Sequence, residues 1–470
     1  MSDLEPVTAA VDLSQTSKAY DRLNSYLHQY DRGTGYINGH PSYTVDQAAA
    51  QIDRYGYHFN DTNGDGTVAL TYSFTQAKPA DFDSNLGDFI AFNAQQQAQA
   101  KLAMRGWADV ANITFTQAAS GGEGHLALAS YSVSHGEAAF AYYPSGSSHD
   151  GQSWYWVSDD YRYNAEAGLN NYGGQTLVHE LGHNLGLAHP GDYDAWNGVL
   201  SYDDDAVYAE DSRGYSVMSY WDEYFTDQNF ANAYASAPLM DDIAAIQRLY
   251  GANLDTRSGG TIYGFHSNSN RAETTATSAH STLIFSVWDG GGVDTLDFSG
   301  YSMNQRINLH DASFSDVGGL VGNVSIAQGV TIEKAIGGRG NDYLLGNDAA
   351  NELTGNAGND LLAGGRGADK LWGGVGDDTF IYFARSDSTA AAADRLMDFA
   401  TGHDRIDLSA LSTAGNDIIH FSRTLDGTAG AAVLRDASYG TNLSIDFNGD
   451  HTADFVIKIL GDAHTSDFLV

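Results

Sequence analysis

The segment His179-Glu180-Leu181-Gly182-His183 carries the sharpest chemical signal in the chain. On a helix, residues four apart lie one turn apart on one face, so both imidazoles can reach one ion. Glu180 follows the first imidazole and points toward the open coordination position. Five such residues could also be two helix-face histidines beside an acidic neighbour, but the pattern continues. Gly186 can take the left-handed conformation that ends a helix, and His189, three residues on, can swing back as a third nitrogen donor. Three neutral nitrogens plus a water make an open tetrahedral site of the kind catalytic zinc uses. Zinc at His179, His183 and His189 would bring the pKa of its water toward about 7, and Glu180 is placed to take the proton while an amide carbonyl is attacked.

Several elements must position these groups. QTLVHELGHNLGLAH at 175–189 reads as a helix that stops at Gly186. A long helix rich in Ala and Gln is expected over 84–110, with Phe89, Phe92, Leu102 and Trp107 as core. ITFTQ at 113–117 and HLALAS at 125–130 read as strands, and MDDIAAIQRLYG as a helix capped by Gly251, with Ile243, Ile246, Leu249 and Tyr250 on one face. The acidic stretch 191–216 reads as a long functional loop. In SVMSY, Met218 alone fits a core methionine, and Tyr220 alone fits a buried aromatic with a satisfied hydroxyl.

Across 470 residues, 60 acidic side chains face 23 basic ones, a formal net charge of −37. Nucleic acid and anionic membrane would be repelled. The excess either keeps the protein soluble or awaits divalent cations. There is no cysteine, so metal is the expected staple. No run of 18 apolar residues suggests membrane insertion, and the first residues lack the apolar core of a general secretory signal.

All six prolines lie between Pro6 and Pro238, and glycine thickens after about residue 255. From Gly337 the chain reads GGRGNDYLL, GNDAANELT, GNAGNDLLA, GGRGADKLW, GGVGDDTFI, five nonapeptides in unbroken register to Ile381. Leu344, Leu353, Leu362, Leu371 and Phe380 recur at one position, which a random Gly-rich linker would not show. A fixed period of this kind marks a stacked solenoid, here the calcium-binding parallel β-roll pattern. DTNGDG at 61–66 resembles half of an EF-hand loop, but Tyr72 stands where the twelfth-position glutamate belongs, so a tight turn is expected; DFNGD at 446–450 is read likewise. His125, His135 and His149 lack partners at metal spacing and read as surface or cleft residues.

The full H-E-x-x-H-x-x-G-x-x-H is a metzincin signature. With PSYTVDQAAAQI (41–52), HELGHNLGLAHPGDY (179–193), SVMSYW (216–221), PLMDDIAAIQRLYGAN (238–253) and the repeats, the chain resembles the serralysins, secreted bacterial metzincins. The resemblance implies an α+β metzincin-type catalytic domain over residues 17–255, followed by an all-β parallel β-roll and sandwich over 256–470, with residues 1–16 a short pro-segment or disordered N-terminus. It implies that Met218 is the Met-turn floor under the zinc, and that Tyr220 is an additional zinc ligand that swings away to stabilise the oxyanion. The strand near Ala139–Tyr142 would pair with an extended peptide.

The resemblance also implies several calcium ions. Asp342, Asp360, Asp369 and Asp378 would bridge them, with carbonyl oxygens from Gly338, Gly340, Asn347, Ala349, Gly355, Asn356, Ala357, Gly358, Gly364, Gly365, Arg366, Gly367, Gly373, Gly374, Val375 and Gly376. The second repeat departs from the pattern, with Asn351 for aspartate and Ala349 for glycine, which implies a weaker site. Asp289, Gly291, Gly292 and Asp294 resemble a further site with Arg257, Gly259 and Thr261, and Thr331 and Glu333 would complete its neighbour. Asp398 and Asp404 would close the far end. Asp467-Phe468-Leu469-Val470 resembles an uncleaved export signal. The expected protein is therefore a secreted, extracellular, monomeric zinc endopeptidase, exported by type I machinery, acting on polypeptides and open to a proteinaceous inhibitor. The rivals are a calcium-stabilised adhesin with a dead zinc site, which intact Glu180 argues against, and a zinc hydrolase of small non-peptide substrates.

Overall fold

The structure is a computed structural model that describes residues 18–193, 199–412 and 418–470. The expected pro-segment at 1–16 lies outside these residues, as does part of the acidic stretch 191–216. Two compact units are present. Among the described residues, one comprises those within 31–294 and 311–331, and the other those within 18–30, 295–310 and 332–470. This partition differs from a single cut at 255/256. Which segment folds on its own is a separate matter from compactness, and the cut stands as a proposal on that point.

In the first unit a six-stranded sheet runs Ile113–Gln117, Val68–Phe74, Gly124–Tyr131, Gln152–Trp156, Ala139–Ala141, with the short strand Phe89–Ile90 pairing antiparallel to Gly124–Tyr131 off this path. The first four strands are mutually parallel, and Ala139–Ala141 joins antiparallel at the edge. Two helices pair beside it, Ala94–Val110 and Tyr172–Asn184. Trp107, fully buried, donates its indole N–H to Val178 O at 3.2 Å and joins the two helices. The first of them begins ten residues later than expected. Asn93 accepts from Gln96 N, and the Gln96 side chain accepts from Asn93 N, a capping box that fixes the start there. The residues before it form a 3-10 turn, Ser84–Leu86, and a short strand, Phe89–Ile90. Phe92 and Trp107 are core, whereas Phe89 and Leu102 are only partly buried.

The second unit is a parallel β-roll. One sheet stacks Arg306–Asn308, Tyr343–Leu345, Leu361–Ala363, Thr379–Ile381, Arg405–Asp407 and Phe468–Leu469. The other stacks Lys334–Ile336, Glu352–Ala357, Lys370–Val375 and Asp394–Leu396, then Phe455–Ile459. Lys334, Glu352 and Lys370 are register partners, so two nonapeptides complete one turn. The apolar residue of every repeat faces inward: Leu344, Leu353, Leu362, Leu371 and Phe380 are each 0% exposed. The helix Lys18–Leu27 packs Leu23 and Tyr26 on Leu345, Leu361 and Ile381 of this unit. The hairpin Ala431–Ala437/Gly440–Asp446 extends the second sheet.

The two acidic turns take the tight form expected of them. Asp61 accepts from Gly64 N and Gly66 N, and Asp446 accepts from Gly449 N and His451 N.

Candidate active site

The helix Tyr172–Asn184 is buried from Gly173 to Asn184. It stops where the sequence places the stop. Gly186 has φ +107°, and a Cβ there would lie 1.8 Å from Tyr57 O, so only glycine fits the turn. The chain then returns His189 to the helix face. His179 Nε2 and His183 Nε2 lie 3.2 and 3.0 Å from His189 Nε2.

The other ring nitrogens decide what these contacts are. Each Nδ1 meets a backbone carbonyl: Val217 O at 2.8 Å, Leu187 O at 2.7 Å and Tyr193 O at 2.7 Å. A carbonyl only accepts, so every Nδ1 carries the proton, and every Nε2 of the neutral rings presents a lone pair. Burial keeps the rings neutral, lowering His179 to about 4 and His189 to about 3, and His183 far below its ordinary value. Three lone pairs converging inside a buried site are satisfied by a cation, and the all-imidazole donor set suits zinc. Glu180 adds a second observation. Its Oε2 is buried with no hydrogen-bond partner among the described residues, and burial pushes the carboxyl up to about 8.

Met218 is fully buried, and a Cβ on Gly182 would lie 2.5 Å from its sulfur. The methionine thus packs directly beneath the helix turn between the two histidines. The Tyr220 ring lies 4.4 Å from the His189 ring and 6.0 Å from that of His179. A cavity of about 610 Å³ opens over the triad, lined by Glu180, Tyr220, Tyr143, Tyr193 and the edge strand Ala139–Ala141. His125 stands apart, held between Thr71 and Ser73 hydroxyls, and His149 stacks on Tyr142.

Sequence reasoning missed the groups that hold these pieces. Asp242 accepts from Val217 N and Ser216 Oγ and so fixes the carbonyl that orients His179. Asp211 accepts from Tyr193 Oη at 2.8 Å and Ser219 Oγ at 2.6 Å, tying the third-imidazole loop to the Met218 turn. Arg54 Nη1 donates to His189 O at 2.6 Å. Asn184 donates to Tyr142 O and Gln152 O, which fastens the helix to the edge of the sheet. Glu210, Asp211 and Ser212 are buried, so this part of the expected acidic loop is structural support. PLMDDIAA hinted at Asp242 as part of a recognisable stretch; the others carry no local signal.

In the roll, two rows of carboxylates emerge. Asp342 N donates to Asp360 Oδ1 at 2.7 Å, Asp360 N to Asp378 Oδ1 at 2.9 Å and Asp378 N to Asp404 Oδ1 at 3.0 Å. Asn351 N donates to Asp369 Oδ1 at 2.7 Å, and Asp369 N to Asp394 Oδ1 at 2.9 Å. The second oxygens of Asp360, Asp369, Asp378 and Asp394 are buried without a hydrogen-bond partner among the described residues. Burial raises Asp342 to about 6, Asp360, Asp369 and Asp378 to about 7, and Asp394 to about 9. Bare, buried carboxylate oxygens beside turn carbonyls fit hard cations.

Asp394, which sequence reasoning missed, lies like Asp404 beyond the nonapeptide register, and each continues one of the two rows. Asp398 accepts from Gly373 N and Gly374 N, both at 3.0 Å. Asn351 departs as its side chain requires: its amide donates toward Ile332 O and Glu333 O, where an aspartate would present an oxygen. In the other unit, Asp289 accepts from Gly291 N and Tyr263 Oη, Asp294 accepts from Thr261 N, and Thr261 Oγ1 reaches Gly259 O at 3.2 Å and Arg257 O at 3.5 Å.

A buried imidazole triad beneath a cleft, with a carboxyl beside it and an open strand edge across it, is the arrangement of a metallopeptidase. Two family models match the chain, Matrixin over residues 69–197 and Peptidase M10 serralysin C terminal over 252–470. Metalloprotease AprA of Pseudomonas entomophila (strain L48) is 58% identical, covering 100% of this chain and 99% of the relative. Metallopeptidase AprA of Pseudomonas marginalis is 56% identical over 98% of each chain, and Serralysin C of Dickeya chrysanthemi 51% over 97% of each. The chain belongs to the serralysin family of zinc metalloendopeptidases, a metzincin-type domain followed by the serralysin C-terminal domain. Among the described residues no helix is long and apolar enough to cross a membrane.

Proposed function

We propose that this chain is a secreted endopeptidase that holds one zinc ion at His179, His183 and His189, with Glu180 as general base. The observation that carries the reading is the convergence of three Nε2 lone pairs, each fixed by an Nδ1–H bond to a carbonyl. Zinc bound there supplies Lewis acidity toward water and the scissile carbonyl. The chain supplies the rest. The open edge of Ala139–Ala141 takes the substrate as an added strand. A cation at the three imidazoles would hold Glu180 as the carboxylate against its burial, so that Oε2 accepts a proton from the attacking water and returns it to the leaving amine. Tyr220, packed on His189, directs its hydroxyl at the developing oxyanion as an intermittent fourth protein ligand.

Calcium is the proposed partner of the carboxylate rows and of the cluster around Asp289 and Asp294, with Thr331 and Glu333 serving a neighbouring ion. Export by type I machinery before folding fits the C-terminus. Asp467 is buried, and Phe468 pairs with Ile406, so an exporter can read that segment only while the roll is unformed. The folded protein acts outside the cell as a monomer and presents its cleft to polypeptides or a proteinaceous inhibitor.

The test is casein hydrolysis with zinc analysis on wild type and Glu180→Ala. Wild type is expected to carry one zinc and to lose activity in chelator. The variant keeps its zinc and loses at least ~10²-fold in turnover, the lower end of general-base contributions. Near-wild-type turnover in the variant would sink the role of Glu180.

A further inference from the structure

Beyond Glu180 the cleft continues. A second cavity of about 310 Å³ shares His179, Glu180, Tyr220 and Ala139 with the first, and is closed by Gln175, Thr176 and Arg213. Tyr172 lines this cavity and also a third, an open groove of about 540 Å³. Tyr161, Tyr163, Tyr234, Asn170 and Asn232 make up most of the rest of that groove.

Arg213 lines the second cavity and meets the groove through Tyr234. Its guanidinium lies 4.7 Å from the centre of the Tyr234 ring and is held by Asp222 at 2.7 Å. The charge is thus matched locally, and the groove offers ring faces, phenols and amides. The rings brace one another: Tyr161–Tyr163 at 5.1 Å, Tyr163–Tyr172 at 6.1 Å and Tyr172–Tyr234 at 5.5 Å, all edge to face. Trp156 stacks behind Tyr161 at 4.1 Å. Tyr163 is nevertheless 61% exposed. Asn170 is fixed by bonds to Ser236 Oγ and Thr282 O, and its Oδ1 is left buried with no partner among the described residues.

We propose that this tyrosine groove is a substrate exosite that binds an extended, uncharged, proline-bearing stretch of the polypeptide on the C-terminal side of the scissile bond. The inference rests on the peptidase reading above and deepens it. Three arguments lead to it. The second cavity adjoins the catalytic cleft and shares Tyr172 with the groove, so a chain bound across the triad and through that cavity is directed toward the groove. Its direction follows from the edge strand. A substrate pairing antiparallel to Ala139–Ala141, the more stable ladder, sends its C-terminal residues past Ala138 and Gly136, and these line the second cavity and not the first. Its distance follows from the helix. Tyr172 precedes His179 by seven residues, about 10 Å of rise, which is about three residues of extended chain. The chemistry selects the occupant: preformed aromatic walls dock polyproline-type segments, whose backbone carries no internal hydrogen bonds.

The experiment uses the full zinc- and calcium-loaded enzyme and quenched fluorescent peptides with one common cleavage sequence. One peptide ends two residues after the scissile bond, a second carries five further residues rich in proline, a third five rich in aspartate, and a fourth adds the proline-rich residues at the N-terminal side instead. The second is expected to exceed the first in kcat/KM by roughly three- to tenfold, the range of an aromatic contact, and the third and fourth are not. Tyr163→Ala brings the ratio of second to first toward one, and Tyr163→Phe retains it, since the ring face does the binding. No gain from the proline-rich extension, an equal gain from the third or fourth peptide, or an unchanged ratio in Tyr163→Ala would overturn the proposal. Failure of wild type to cut the first peptide would strike the peptidase reading itself.

Discussion

At Tyr220 the phenol oxygen is what separates a catalytic group from an aromatic wall. Tyr220→Phe keeps the ring against His189 and removes only the hydroxyl. Turnover is expected to fall about 10²-fold, the loss seen when one oxyanion donor is removed, with KM little changed. Steady-state kinetics on a peptide substrate check this; unchanged turnover with a raised KM would return Tyr220 to the role of a wall. The residues to which the chemistry is assigned were legible because their spacing is local: one helical turn between His179 and His183, one glycine-enabled turn to His189. Those that hold them were not. Asp242 lies 25 residues after Val217 and bonds its backbone N–H, and Arg54 reaches His189 O across 135 positions. Such contacts leave no period in a sequence.

The helix Met240–Tyr250 is tied to the metal centre through its first turn. Asp242 is fully buried and accepts from Leu239 N, Val217 N and Ser216 Oγ at once. An amide in its place can accept with one atom only and turns N–H groups toward donors. Asp242→Asn should therefore loosen the turn that supplies Val217 O to His179. Zinc affinity is expected to drop about 10- to 100-fold, the usual effect of losing a group that orients a metal ligand. Competition with a chromogenic chelator measures it, and unaltered affinity would show that His179 needs no such bracing. The elements themselves were partly readable. The roll was, because five registered repeats leave one apolar position to bury. The start of the helix Ala94–Val110 was not, because the apolar residues from Phe89 to Phe92 continue a helix-like pattern that the Asn93 capping box overrides locally.

For the whole molecule the net charge of −37 acquires a direction once the acids are located. Asp342, Asp360, Asp369, Asp378 and Asp394 are buried in rows, and without cations their folded pKa values stand at about 6 to about 9. In the unfolded chain an aspartate titrates near about 3.9. Between these limits the folded state binds more protons than the unfolded one, so stability is fully present below about pH 4 and is lost as pH rises through the folded values. Asp211 and Asp242 in the other unit, each raised to about 7 by burial, act with the same sign. Calcium bound at the rows, as proposed, would reverse the sign. A carboxylate that binds the ion is stabilised as the anion, its folded pKa falls below the unfolded value, and stability then grows as pH rises past it. Thermal unfolding of the full chain, followed by far-ultraviolet circular dichroism between pH 5 and 8, reads both cases. In excess chelator the melting temperature is expected to fall as pH rises. In millimolar calcium it should be higher throughout, and its slope should flatten or turn upward. Parallel slopes with and without calcium would show that the rows do not take up the ion. A chelated protein that grows more stable toward pH 8 would show that the buried aspartates are ionised without it, and the electrostatic account of calcium-driven folding would fail.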